Sequence, residues 1–229
     1  MTSTRQNTLG VILAGGQAMR MHGDPKFLHH VGGMTILQRV ARKLRQQTDN
    51  IIVNAKLHPV SVRDLSCPII ADIYPNVHGP MAGITTALHY CQQSLLDYDW
   101  ILTVAADTPF FPDDLHKRMA EKISKKNTSA ETPKVIFATS QGRAHPTFCL
   151  WSSSMVEEVT DLVVAKEMRK IDTVIAQFSH SHCDFAVSGH DPFFNINTYD
   201  DLLVAQELAS QVSIKPYEVP TPTVYTPQP

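Results

Sequence analysis

The segment Leu13-Ala14-Gly15-Gly16-Gln17-Ala18-Met19-Arg20-Met21-His22-Gly23-Asp24-Pro25-Lys26 closes a short apolar run and joins two glycines to two spaced cations. Glycines directly after a buried strand let the backbone turn tightly and approach a ligand closely. Successive N–H groups of such a loop form a concavity that takes anions, and Arg20 and Lys26 supply charge-assisted donors for phosphate oxygens. Neither the GxxxxGK[ST] spacing nor GxGxxG is met. Read alone, the segment also fits a glycine turn carrying two surface cations. Asp107 ends a second apolar run and is followed by Thr108-Pro109. A carboxylate at a strand end can hold a divalent cation over phosphates; it can also cap the next turn. A DxDxT phosphatase pattern fails, because Pro109 stands where a second carboxylate is needed. Asp72 has the same strand-end placement. Asn195-Ile196-Asn197-Thr198 offers amide oxygens either to a hard cation or to a helix cap or turn. His145-Pro146 reads as structural, and His29 and His30 read as surface residues. There is no HExxH spacing, so the histidines make no case for a transition metal.

These residues need elements to position them. Apolar runs at 9–13, 50–55, 67–72 and 100–106 read as strands, with later strands at 134–139 and 145–151. Residues 35–47 place Ile36, Leu37, Val40 and Leu44 on one face, the spacing of an amphipathic helix. Its other face carries Arg39, Arg42, Lys43 and Arg45, either as a solvated surface or as a basic patch steering an anionic substrate. Further helices are expected at 81–93, from 112 to about 125, at 152–164 and at 198–211. Alternation of strands with helices predicts an α/β fold with a mostly parallel sheet. Ligands bind such sheets beyond the carboxyl ends of the strands. Gly15, Gly16, Asn54, Asp72 and Asp107 would therefore face one rim.

Composition bounds the rest. The chain has 229 residues, 43 % hydrophobic and 18 % charged, which is a globular composition that needs no disulfides or structural metal. Its net charge of −2 argues against a nucleic-acid partner. That total hides an asymmetry: residues 1–58 hold eight Lys/Arg against two Asp/Glu, and residues 59–229 hold twelve against twenty. No run approaches the roughly 20 apolar residues of a membrane span, and the polar start carries no secretory h-region. The four scattered cysteines form no CxxC pair and suit a reducing cytoplasm. The expected organisation is a flexible start at 1–8, one domain at 9–211 and an extended tail at 212–229. Five of the fifteen prolines fall in that tail.

Taken in order, LAGGxxxRM, Lys26, Asn54-Ala55, Asp72, Gly79-Pro80-Met81-Ala82-Gly83, Asp107-Thr108-Pro109, His145-Pro146 and Asn195-Ile196-Asn197-Thr198-Tyr199-Asp200-Asp201-Leu202 resemble molybdenum cofactor guanylyltransferases. The resemblance runs from about residue 9 to 209. It implies a three-layer α/β/α sandwich of the nucleotide-diphospho-sugar transferase type. It also implies transfer of GMP from Mg-GTP to molybdenum-molybdopterin, giving the guanine dinucleotide cofactor and pyrophosphate. Carried over, Leu13, Ala14, Gly15, Gly16, Lys26, Asn54, Asp72, Gly79 and Asp107 would bind nucleotide. Asp107, Lys26 and Arg20 would carry catalysis, and Asp107 and Asn197 would hold Mg2+. The implied protein is a cytoplasmic monomer in transient contact with cofactor-delivering or cofactor-receiving proteins, without nucleic acid or membrane. Two departures fall in the first loop: His22 replaces a glycine, and Pro25 stands where the family has Asp. Ala106 replaces a frequent Cys. A molybdopterin cytidylyltransferase, a sugar-phosphate nucleotidyltransferase and a non-catalytic adaptor stay open as alternatives.

Overall fold

The apolar runs assemble into one seven-stranded sheet. The computed structural model describes residues 7–15, 20–21, 24–55, 65–124 and 132–211. The chain begins with β1 (Thr8–Leu13), β2 (Arg20–Met21) and β3 (Asp24–Pro25), then a 3-10 turn (Lys26–Leu28). It continues with β4 (His30–Val31), β5 (Met34–Thr35), α1 (Ile36–Arg45), β6 (Asn50–Asn54), β7 (Ile69–Ile70), α2 (Pro80–Gln93) and β8 (Trp100–Ala105). Then come α3 (Leu115–Ser124), β9 (Val135–Ser140), β10 (Arg143–Ser152), α4 (Val156–Thr160), α5 (Ile171–Ile175), β11 (His180–Asp184) and α6 (Tyr199–Gln211). The sheet order is β11-β9-β10-β8-β1-β6-β7. Only β10 runs against its neighbours; every other pairing is parallel.

Every residue of β1 is buried, because the sheet is covered on both faces. Alternate side chains of a strand point to opposite faces. Ile12 thus joins Leu37, Val40 and Leu44 of α1, Met119 of α3 and Leu202 of α6. Leu9, Val11 and Leu13 join Met81, Ile84 and Leu88 of α2, Val159 of α4 and Val174 of α5. The result is three layers, α/β/α. Helix α1 starts on a capping box: Thr35 Oγ1 accepts from Gln38 N at 3.1 Å, and Gln38 Oε1 accepts from Thr35 N at 2.8 Å.

Boundaries differ from the sequence expectation where a local cause is visible. Thr8, placed by sequence in the flexible start, is a buried residue of β1, and the carbonyl of Asn7 accepts from Asp99 N at 2.9 Å. The stretches 1–6 and 212–229 lie outside the described residues. The strand expected at 67–72 reduces to Ile69–Ile70 at the sheet edge. Pro68 lacks an N–H, and its carbonyl accepts from Val53 N. The helix expected at 152–164 is a 3-10 turn (Ser153–Met155), α4 and a π turn (Asp161–Ala165) in succession. Helix α3 begins at Leu115, not at residue 112.

The basic face of α1 is structural. Arg39 is buried, and its guanidinium donates to the carbonyls of Val31 and Gly32, clamping the β4–β5 hairpin onto the helix. Burial draws the Arg39 pKa down, and Arg42 adds repulsion. Lys43 pairs with Asp113 and lies over the Phe111 ring. Arg45 donates to the carbonyl of Leu65. Arg39, Lys43 and Arg45 are therefore committed within the fold, not left as a solvated steering patch. His29 also departs from its surface reading: its Nε2 is buried without a hydrogen-bond partner among the described residues.

Candidate active site

The parallel register brings three strand ends together. Leu13 of β1 pairs with Asn54 of β6 on one side and with Ala105 of β8 on the other. Ala14 N donates to Asn54 O at 2.9 Å, and Ala106 N donates to Leu13 O at 3.1 Å. Gly15, Asn54 and Asp107 consequently emerge at one rim, the ligand-binding edge of such sheets.

On the β8 side a cation is already gripped. Lys26 Nζ lies 2.8 Å from Asp107 Oδ2 and donates to Asn197 Oδ1 at 2.7 Å. The Lys26 side chain is 6 % exposed and that of Asp107 15 %. Lys26 opens the 3-10 turn that follows β3, and Pro25 precedes it at φ −58°, a value its ring imposes anyway. Pro25 also pairs with Arg20 across the short β2–β3 ladder. With Pro25 in this position, Lys26 is directed at Asp107.

The Asn197 side of this grip is fixed by the segment before α6. Ile196 N donates to the Asp107 carbonyl at 2.9 Å. The Thr108 hydroxyl lies 2.5 Å from Asn195 Oδ1 and 3.2 Å from Asp107 Oδ1. Asp201 Oδ2 accepts from the N–H groups of both Asn197 and Thr198 at 2.8 Å, while Thr198 Oγ1 accepts from Asp201 N. Partial burial works to raise the Asp201 carboxyl, but these donors and the Lys26 charge hold it below its ordinary range.

On the β6 side, Asn54 is 2 % exposed and its Nδ2 donates to Asp72 Oδ1 at 3.0 Å. Its Oδ1 lies against Gly83 of α2. A Cβ at Gly83 would fall 2.2 Å from that oxygen and 2.9 Å from Leu13 Cδ2. Gly79 caps α2 at φ 78° and ψ −170°, a region essentially reserved for glycine. Pro80 occupies the first helical position, where its missing N–H costs nothing.

Of the residues expected from sequence, Lys26, Asp107 and Asn197 form one cluster. Leu13, Ala14, Gly15, Asn54 and Asp72 form a second beside it. Gly79 stands at the α2 start. Gly16 and the Arg20 side chain lie outside the described residues. Sequence reasoning gives Asp201 only a place in the first turn of a Thr-capped helix, and gives no role to Thr108 beyond motif membership or to Gly83 as the space Asn54 needs. Asp201 was readable, since Thr198-x-x-Asp201 fits a capping box. His145 is structural, as expected. It is buried, lies 2.7 Å from Ser140 Oγ and stacks on Phe193 at 4.4 Å. Burial lowers its pKa, and Arg143 adds to this against an opposing pull from Asp191.

Residues 10–187 match the family model described as the MobA-like NTP transferase domain. The chain belongs to this family. A molybdenum cofactor guanylyltransferase from Nitrobacter hamburgensis is 36 % identical over 210 residues, spanning 92 % of this chain and 98 % of that protein. The molybdopterin-guanine dinucleotide biosynthesis protein A of Archaeoglobus fulgidus superposes with a TM-score of 0.66 at 20 % identity, covering 89 % of this chain and all of that one. A Mycobacterium tuberculosis protein solved in complex with manganese gives 0.61 at 18 %, covering 89 % and 100 %. At these identities the superpositions speak for the fold, which is that of the nucleotide-diphospho-sugar transferases. Within this MobA-like family the chain is a nucleotidyltransferase. The Lys26–Asp107–Asn197 cluster joins one buried positive charge to two hard oxygens.

Proposed function

We propose that the protein transfers GMP from GTP to molybdenum-molybdopterin, releasing pyrophosphate and forming the guanine dinucleotide cofactor. The observation that carries this reading is the convergence of Lys26, Asp107 and Asn197 on the rim of a MobA-like domain, next to the Asn54–Asp72 pair. The relatives' shared designation as molybdenum cofactor guanylyltransferases supports the choice of substrates.

In the reaction a terminal phosphate oxygen of molybdopterin attacks the α-phosphorus of GTP in line. The bond to the β-bridging oxygen breaks, and pyrophosphate leaves with the electron pair. The attacking phosphate is already ionised, so no protein nucleophile or strong base is required. Positioning and charge neutralisation carry the rate. Backbone groups of Leu13, Ala14 and Gly15 approach the nucleotide, Asn54, Asp72 and Gly79 line its site, and Lys26 holds its phosphates; by the resemblance Gly16 and Arg20 would join them.

The donor set fits a divalent cation. Two hard oxygens, Asp107 Oδ2 and Asn197 Oδ1, already meet on one positive charge. Among the described residues no three His, Cys, Asp or Glu side chains cluster as a metal cage. One carboxylate completed by substrate phosphates is how Mg2+ is commonly bound. Held by Asp107 and Asn197, Mg2+ would neutralise charge between the α-phosphate and the leaving pyrophosphate. We read the protein as a cytoplasmic monomer, meeting cofactor-delivering or cofactor-receiving proteins transiently; no helix among the described residues is long and apolar enough to cross a membrane.

Base choice has a direct test. In thermal-shift titrations, Mg-GTP is expected to raise the Tm by several degrees, whereas Mg-CTP, Mg-ATP and Mg-UTP leave it near the apo value. Stabilisation by CTP alone would remove the guanylyl assignment and favour a cytidylyl one.

A further inference from the structure

The grip on Lys26 supports a statement about the order in which the site fills. It rests on the reading of Asp107 and Asn197 as the residues that hold the divalent cation. We propose that the Lys26 ammonium occupies the metal seat of the free protein, so that Lys26 and the metal hold Asp107 and Asn197 in turn, never together.

The argument is geometric. Lys26 Nζ sits 2.8 Å from Asp107 Oδ2 and 2.7 Å from Asn197 Oδ1, the two oxygens assigned to the metal. A magnesium-sized ion binds oxygen ligands at about 2.0–2.1 Å. An ion meeting the same two oxygens would therefore enter the space taken by the ammonium. Two cations cannot share that space, and their repulsion is poorly screened where the lysine is almost fully buried. Entry of the metal thus requires the Lys26 side chain to leave.

A buried ammonium leaves its acceptors at a high cost unless a new partner meets it at similar depth. The triphosphate supplies one. Metal alone must strip Lys26 of its carboxylate and its amide acceptor with nothing in return. Metal and triphosphate together exchange the Asp107 carboxylate for a phosphate oxygen. Metal and nucleotide consequently bind with positive coupling, and by linkage each tightens the other. The free protein binds metal weakly, and the seat is filled by a metal–nucleotide complex. Lys26 is then delivered to the phosphates by the event that loads the metal.

The test measures Mn2+ binding without nucleotide, by electron paramagnetic resonance of free Mn2+, on wild type, Lys26→Met and Asp107→Asn. Circular dichroism confirms that each variant is folded. The expected result is binding at least tenfold tighter in Lys26→Met than in wild type, and binding lost in Asp107→Asn. A second arm uses the wild-type chain alone. Dimethylation of Lys26 by formaldehyde and cyanoborohydride, read by peptide mass spectrometry, is expected to rise when Mn2+ saturates the protein. If Lys26→Met binds Mn2+ no more tightly than wild type while Asp107→Asn abolishes binding, the metal assignment survives and the exchange is wrong. If Asp107→Asn binds Mn2+ like wild type, the metal assignment and the exchange both fall. Should Lys26→Met not fold, Lys26 labelling unchanged by saturating Mn2+ overturns the exchange.

Discussion

Exchanging Asp107 for asparagine is expected to lower kcat/KM for pyrophosphate release from GTP and molybdenum-molybdopterin by about a thousandfold or more. That factor corresponds to about 4 kcal/mol of lost transition-state stabilisation, in the range found when a group that positions or neutralises developing charge is removed. The variant isolates charge from shape. A carboxamide keeps an oxygen for the Lys26 ammonium, and the Asp107 backbone carbonyl still accepts from Ile196 N. Lys26 also retains Asn197 Oδ1. Because the buried Lys26 charge then lacks its counter-ion, the melting temperature is expected to fall by several degrees, while turnover of the still folded protein collapses. Steady-state pyrophosphate assays alongside calorimetry make the comparison. Turnover within tenfold of wild type would remove Asp107 from the catalytic set.

The second large effect is expected from Gly83→Ala. The added methyl would stand 2.2 Å from Asn54 Oδ1 and 2.9 Å from Leu13 Cδ2. Both neighbours are buried, and Asn54 is tied to Asp72 through its Nδ2, so neither is a loose side-chain end. Overpacking of this kind costs about 1–3 kcal/mol, which lowers the Tm by several degrees in a chain of this size. The functional consequence is more specific. If helix α2 stays in place, Asn54 must rotate away from Asp72, and the KM for GTP is expected to rise about tenfold or more with kcat less affected. Gly79→Ala is the useful comparison for stability. A Cβ there meets nothing within 4 Å, so its cost is conformational and leaves the Asn54–Asp72 bond intact. An unchanged KM in Gly83→Ala would mean that the Asn54–Asp72 pair does not line the nucleotide site.

Strand ends were the most legible part of the sequence. The runs ending at Leu13, Asn54 and Ala105 are apolar on both faces, and a chain that alternates them with amphipathic helices has few ways to pack. The strand pattern alone puts Gly15, Asn54 and Asp107 on one rim. The Lys26–Asn197 contact was not legible, because it joins residues 171 positions apart. It depends on how the segment after β11 returns across the sheet. The edges were also hidden. β11 is His180-Ser181-His182-Cys183-Asp184, a polar edge strand that buries Cys183 and offers no apolar run. β7 is two residues long, since Pro68 cannot donate to a ladder. The basic stripe on α1 misled for a different reason. Periodicity tells which residues share a helix face but not what covers that face. Here the β4–β5 hairpin covers Arg39, and Asp113 and the Leu65 carbonyl take Lys43 and Arg45. The positive excess at the front of the chain thus has a large structural share, in Arg39, Lys43 and Arg45, beside the proposed phosphate contacts of Lys26 and Arg20.

Whether this chain is a guanylyltransferase is decided most directly by its product. The protein is incubated with molybdenum-molybdopterin, Mg2+ and one of GTP, CTP, ATP or UTP, and pterin dinucleotide and pyrophosphate are quantified by chromatography and mass spectrometry. The predicted result is the guanine dinucleotide and pyrophosphate in equal amounts, with GTP only. Formation of a cytosine dinucleotide from CTP, or no transfer from any nucleotide by folded protein, would contradict it.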